Sequence, residues 1–297
     1  MGNYAAGVSV NDIAEIGYIR VATGVPAAHA AFARDIVGLP SLPDSNGEAW
    51  FRTDIRRRTL VFSPHPGEET AIGIAYRKPE DLEAVAERLA QAGTQTEKLD
   101  RVACDLLWVR AAYRLRDPSG NLLHLISSPQ HSGVRFFPVR DNGVTGLAGV
   151  ALCSLDTRRD VHFWTALLGF ELRDWLGDVA CIGTDTLHHR ITLYPSDRPG
   201  LRGFDLTVED IDLIMQNWYF LQQHQVRIMH GPGREPASRS IFIRFEGAEG
   251  LHWGLVTDTA RIDPANHHAR QFAPDMTSLC NWGSEPSETA ELKIKQS

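Results

Sequence analysis

Asp160-Val161-His162-Phe163-Trp164-Thr165-Ala166-Leu167-Leu168-Gly169-Phe170-Glu171 reads as an amphipathic helix, Asp160 to Leu168, closed by a glycine and preceded by an apolar strand. The same arrangement occurs much earlier, where Ala27 to Val37 ends in Val37-Gly38-Leu39. A second pair of helices, Pro79 to Ala92 and Val208 to Gln223, carries acidic residues in the first turn, Glu80-Asp81 and Glu209-Asp210, which suit the positive helix end. Each of these two is followed by a long strand region and a turn, Asp117-Pro118-Ser119-Gly120-Asn121 in one case and Gly247-Ala248-Glu249-Gly250-Leu251 in the other, leading into a last strand. The spacing between equivalent pieces is about 130 residues, so the chain is two halves of two units each, every unit a strand, a helix and further strands. Enrichment in β-branched and aromatic residues predicts strands at Ile16 to Val21, Thr59 to Ser63, Leu106 to Arg110, Arg190 to Tyr194 and Ser240 to Phe245.

The pattern is that of an α+β protein. Residues 10–128 form the first half, 129–142 a linker rich in Pro, Ser and charge, and 143–257 the second half. Residues 258–297 form a polar tail whose end, Glu285 to Ser297, is expected to be disordered. A chain of 297 residues, 43% hydrophobic and 23% charged, is ordinary globular material and can bury a core in each half. The net charge of −7 offers no positive field to draw nucleic acid or anionic lipid, so a small molecule is the expected partner. The longest apolar runs, such as Gly146 to Leu155, are too short to span a bilayer, and no secretory leader is visible, which places the expectation in the cytoplasm. Cys104, Cys153, Cys181 and Cys280 stand apart from one another and read as reduced core thiols.

From about Val10 to Gly283 the sequence resembles the two-domain type I extradiol dioxygenases of the vicinal oxygen chelate superfamily. The resemblance rests on Ile16-Gly17-Tyr18-Ile19-Arg20-Val21, Trp50-Phe51-Arg52-Thr53-Asp54, the stretch Phe163 to Glu171, His188-His189 before a strand, Gly231-Pro232-Gly233-Arg234, and the tail Met276 to Gly283. It implies two domains, each a pair of βαβββ modules forming a cupped barrel, with a silent N-terminal barrel. The C-terminal barrel would hold Fe(II) or Mn(II) on two histidines and a glutamate.

By the same resemblance the three ligand positions fall at Gly149, Gly203 and Gly254. Glycine offers no side-chain donor, and three glycines at three specified places arise by chance roughly once in two thousand cases. They predict open space on the barrel floor and an approach of ligand to backbone. His189 matches the histidine that in the family hydrogen-bonds substrate and passes protons, and is the leading catalytic candidate. Glu235 stands where the family has another histidine, and Arg244 where it has a tyrosine. Strand alternation puts Asp205 on the face of Gly203 and His252 on the face of Gly254. Asp205 then either joins His189 and His252 in a displaced metal set, orients a histidine, or pairs with Arg244 or Arg202. Trp282 is expected to line the pocket mouth. In the silent half Tyr18 and His124 occupy matching positions, and Arg56-Arg57-Arg58 reads as a solvated strand face or a subunit contact.

These residues predict no cofactor, with Fe or Mn only if a displaced site exists, and a small aromatic or hydrophobic metabolite as ligand. They also predict no nucleic acid, no membrane, and, from family habit, a homo-oligomer. The expected activity is isomerase, lyase, hydratase or hydrolase chemistry on an aromatic or ring-fission-type compound, with His189 as acid/base and Arg244 polarising a carbonyl or carboxylate. A non-catalytic binding protein and a catechol-cleaving dioxygenase with displaced ligands are the alternatives.

Overall fold

In a computed structural model of the chain, residues 13–43, 47–64, 69–263 and 266–287 are described. Two sheets account for the strands. The first holds β1 (Ile13–Thr23), β2 (Ala49–Phe51), β3 (Leu60–Pro64), β4 (Ala71–Tyr76), β5 (Thr96–Lys98), β6 (Ala111–Arg116) and β7 (Leu122–Ser127), in the order β2-β3-β1-β4-β7-β6-β5. The second holds β8 (Val144–Ser154), β9 (Glu171–Leu176), β10 (Val179–Gly183), β11 (Ile191–Pro195), β12 (Gly200–Val208), β13 (Ile228–Arg234), β14 (Ile241–Glu246), β15 (His252–Thr257) and β16 (Arg270–Phe272), in the order β13-β14-β15-β12-β8-β11-β10-β9-β16.

The internal repeat is visible in the pairing. In the first sheet β1 runs parallel to β3 and antiparallel to β4, and β4 runs parallel to β7. In the second, β8 runs parallel to β11 and antiparallel to β12, and β12 runs parallel to β15. Parallel neighbours need a crossover, and helices supply it. These are α1 (Pro26–Ala31, continued by a π-helical stretch Phe32–Val37), α2 (Pro79–Gln91), α4 (Thr157–Ala166) and α5 (Ile211–Gln223). The glycine stops act as read from the sequence, since Gly38 and Gly169 take φ values of 82° and 86°, open at no cost to a residue without Cβ. Asp210, read as part of a helix, is instead the N-cap of α5, its carboxylate accepting the Leu213 N–H at 3.0 Å.

Two sequence expectations in the first half are corrected. Leu106 to Arg110 is not a strand, because Asp100 caps a short helix, α3 (Arg101–Leu107), and Trp108 then takes φ 57° to turn the chain into β6. Nor is Arg56-Arg57-Arg58 a solvated face. Only Arg57 is exposed, while Arg56 is buried against Asp54 and the carbonyls of Ile16 and Gly17, and Arg58 is buried beside the rings of Trp50 and Trp108. Aromatic faces and paired carboxylates make such burial tolerable, and a local charge run cannot reveal them.

One apolar core runs through both halves, from Ile19, Leu60 and Ile74 to Trp164, Leu193 and Trp253. Among the described residues no helix is long and apolar enough to cross a membrane. The four cysteines are free thiols. The end of the tail, residues 288–297, lies outside the described residues. Of the part read as disordered, Ser287 is anchored by its N–H to the Met229 carbonyl at 2.7 Å.

Candidate active site

The central strands β8, β12 and β15 bring Gly149, Gly203 and Gly254 together, because Gly149 and Gly254 both pair with Asp205 and Gly203 sits two residues away on the same strand. The three glycines do different things. Gly149 and Gly203 line a cavity, together with Cys181, His189, Tyr194, Arg202, Asp205, His230, Glu235, Arg244 and His252. Gly254 does not line it. A Cβ built there would stand 1.8 Å from Asp205 Oδ1, so the aspartate side chain fills the volume that a residue at 254 would use. At Gly203 a Cβ would meet the His252 carbonyl oxygen at 2.3 Å, where β12 and β15 approach too closely for any side chain. The expectation of open space is therefore corrected: a Cβ at Gly149 would meet the Arg190 carbonyl oxygen at 3.0 Å, so Gly149 and Gly203 bring backbone to the cavity wall and Gly254 makes room for Asp205.

At the centre of the cavity lies a charge cluster. Arg244, on β14, gives its NH2 group to Glu235 Oε1 at 2.7 Å and to Asp205 Oδ2 at 3.5 Å, and the three side chains are only 22%, 19% and 22% exposed respectively. The Ser238 hydroxyl also donates to Glu235. Burial would raise the Glu235 carboxyl, but Arg244, His189 and Ser238 together bring it down to about 2. Asp205 goes the other way, because burial outweighs the more distant Arg244 and raises its pKa. The guanidinium itself is held charged more firmly than usual by the two carboxylates.

His189 lines the same cavity from the loop before β11 and is half-buried. Burial, assisted by His188 and opposed by Glu235, lowers its pKa to about 4, so the imidazole is neutral near pH 7. His188 is wholly buried and bonded to Asp174. His252 lines the cavity too, on the side of Gly203.

Trp282 is corrected: it is 48% exposed and does not line the cavity. Cys280 turns inward, its sulfur accepting the Trp282 N–H and the Ser284 hydroxyl, and this tight turn leaves the indole outside with the Arg234 guanidinium 5.6 Å from its ring centre. Leu279 and Pro286 are the tail residues that reach the cavity. Sequence reading missed Tyr194 and His230. Tyr194 could have been found by alternation from Thr192 on β11, since both line the cavity, whereas His230 comes from the far edge strand and had no local signal.

Residues 146–255 match the family described as the Glyoxalase/Bleomycin resistance protein/Dioxygenase superfamily. The match covers most of the second half of the chain. The chain is 28% identical over 172 residues to a 1,2-dihydroxynaphthalene dioxygenase from Pseudomonas sp. (strain C18), covering 54% of this chain and 55% of that one. It is 26% identical over 258 residues to a manganese-dependent 2,3-dihydroxybiphenyl 1,2-dioxygenase from Geobacillus genomosp. 3, covering 78% and 81%. The alignment thus spans about half the length of the first relative and more of the second. Among solved structures, the Mn(II)-bound glyoxalase from Novosphingobium aromaticivorans superposes with a TM-score of 0.81 at 22% identity, covering 93% of this chain and 92% of that one. At that identity the likeness shows a shared fold alone.

These relatives overturn the expectation of no cofactor, since one is named manganese-dependent and another was solved with Mn(II) bound. The residues at the three positions where the resemblance places metal ligands do not fit a metal. Gly149, Gly203 and Gly254 bring no side-chain donor, Asp205 blocks the side-chain space at 254, and both nearby carboxylates are paired with Arg244. The displaced set of Asp205, His189 and His252 is not assembled either, as no group of three such side chains able to hold a metal occurs among the described residues.

Proposed function

We propose that the cavity of the second half binds a hydroxylated aromatic or ring-fission-type compound and moves a proton on it, with His189 as acid/base and Arg244 holding the developing oxyanion. The observation that supports this is the convergence, in one cavity, of a neutral half-buried imidazole and a cation fixed by two carboxylates. A base must be unprotonated to accept a proton, and His189 is so at neutral pH. Both ion pairs of Arg244 use NH2, and in this reading its other N–H groups serve the ligand oxygen. The Asp205 and Glu235 carboxylates accept hydrogen bonds from ligand hydroxyls, so a polyhydroxylated ring suits the cavity better than a carboxylate-bearing one. The proton taken from oxygen returns to a ring or chain carbon, the net change being an isomerisation. Hydration or elimination uses the same two groups.

The test is a panel of catechols, starting with 2,3-dihydroxybiphenyl, and their enolic ring-opened products, assayed in parallel with and without added Mn(II). His189→Ala should lower turnover by roughly 10²–10⁴-fold while binding is retained. Unchanged turnover of every compound in the variant would remove His189 from the mechanism.

A further inference from the structure

His189 is adjoined by a buried chain of hydrogen bonds that the reading above does not use. The Asp174 side chain, on β9, is completely buried. It accepts four hydrogen bonds, from His188 Nε2 at 2.7 Å and from the Arg270 backbone N–H, Nε and NH2 at 2.8, 3.1 and 2.5 Å. The His267 Nε2 lies 3.9 Å away and is engaged with the Arg173 carbonyl at 2.8 Å. On the other side of the His188 ring, Nδ1 faces His189 Nδ1 at 3.0 Å.

Valence limits where the protons along this chain can sit. Asp174 is held ionised, because the His188 and Arg270 hydrogen bonds overcome the burial that would raise its pKa. A carboxylate only accepts, so the His188 Nε2 must carry a hydrogen. When that is the one hydrogen His188 carries, its Nδ1 is an acceptor, and two facing nitrogens at hydrogen-bond distance need one hydrogen between them. That hydrogen belongs to His189 Nδ1. Nε2 of His189, which makes no hydrogen bond among the described residues, is left with its lone pair. We propose that His188, anchored by Asp174, is a positioning residue that locks His189 in the Nδ1–H tautomer and so presents an unprotonated Nε2 as the base. This rests on the reading of His189 as the acid/base. It adds that a second imidazole and a carboxylate, neither in the cavity lining, determine which nitrogen is reactive.

The experiment is a long-range ¹H–¹⁵N correlation spectrum of the full chain labelled in histidine, at neutral pH and without ligand. The wild-type protein should show His188 protonated on Nε2 and His189 protonated on Nδ1. His188→Gln keeps a donor toward Asp174 and an acceptor toward His189, so it should preserve the His189 tautomer. His188→Phe offers no acceptor and should leave His189 averaging between both tautomers. A wild-type His189 protonated on Nε2 would overturn the proposal, as would a single unchanged Nδ1–H tautomer in His188→Phe. If the phenylalanine variant does not fold, the wild-type spectrum decides alone. The spectrum is independent of turnover, so an innocuous His189→Ala would end the functional reading and leave the tautomer assignment standing.

Discussion

A guanidinium between two carboxylates in a cavity is costly to assemble, because each charge loses water that its neighbours only partly replace. In this protein Glu235 takes the shorter contact and is held ionised, while Asp205, at 3.5 Å, is the group that burial pushes toward the neutral form. The two therefore act on stability in opposite directions. Glu235, depressed from 4.5 to about 2, contributes stability that is present above its unfolded value and is lost as pH falls through its folded one. Asp205, raised, contributes stability that is present below its unfolded value and is lost as pH rises through its folded one. Glu235→Gln should accordingly flatten the loss of stability between pH 4.5 and about 2, measured as the urea midpoint against pH. An acid limb as steep as that of the wild type would mean that Glu235 is not held by Arg244.

At the scale of the strand, a glycine is required where a neighbouring element comes too close, and the obstacle decides the cost of replacing it. The obstacle to a Cβ at Gly203 is the backbone carbonyl of His252, which moves only if β12 and β15 separate. At Gly254 it is the end of the Asp205 side chain, which can rotate away although the nominal distance is shorter, 1.8 Å against 2.3 Å. Gly203→Ala should therefore cost about 1–3 kcal/mol and Gly254→Ala less, with Gly254→Ala instead displacing Asp205 from Arg244. Thermal denaturation of the two variants gives the order, and a larger loss for Gly254→Ala would refute it. The same contrast explains why the glycines could be located in the sequence while their consequences could not. Position along the chain placed them on the central strands, but only the approach of β15 and the rotamer of Asp205 show which space is open.

The two halves are joined by more than the shared apolar core. Arg88, on α2 of the first half, donates Nε and NH2 to the Leu167 carbonyl at the end of α4, at 2.8 and 2.6 Å, and the Tyr76 hydroxyl donates to the next carbonyl, Leu168, at 3.0 Å. A cation at a helix C-terminus also meets the negative end of the helix dipole. Across the other side, Thr23 and His29 meet Glu249 in the turn before β15. With these ties and one continuous core, the chain should unfold in a single transition. Arg88→Met should lower that transition as a whole by about 1.5–2 kcal/mol, the lower part of the range for a hydrogen bond to a charged group. Two separate transitions, in near-ultraviolet and far-ultraviolet dichroism, would show that the halves are energetically independent.

By itself the sequence determined the repeat, the helices with their glycine stops and the α+β class. All of these are written in short-range periodicity or in residue types at fixed spacing, and β-sheet pairing between equivalent strands follows from repeating the same unit. The tertiary structure alone decided that Asp205 occupies the space beside Gly254, that Arg244 is shared between Asp205 and Glu235, and that Trp282 faces solvent. It also decided that the adjacent residues His188 and His189 have different roles, one sealed against Asp174 and one at the cavity. These outcomes depend on which side chains from strands distant in sequence meet, and on how much water is left between them. Charge, rotamer and tautomer are fixed only once those neighbours are in place.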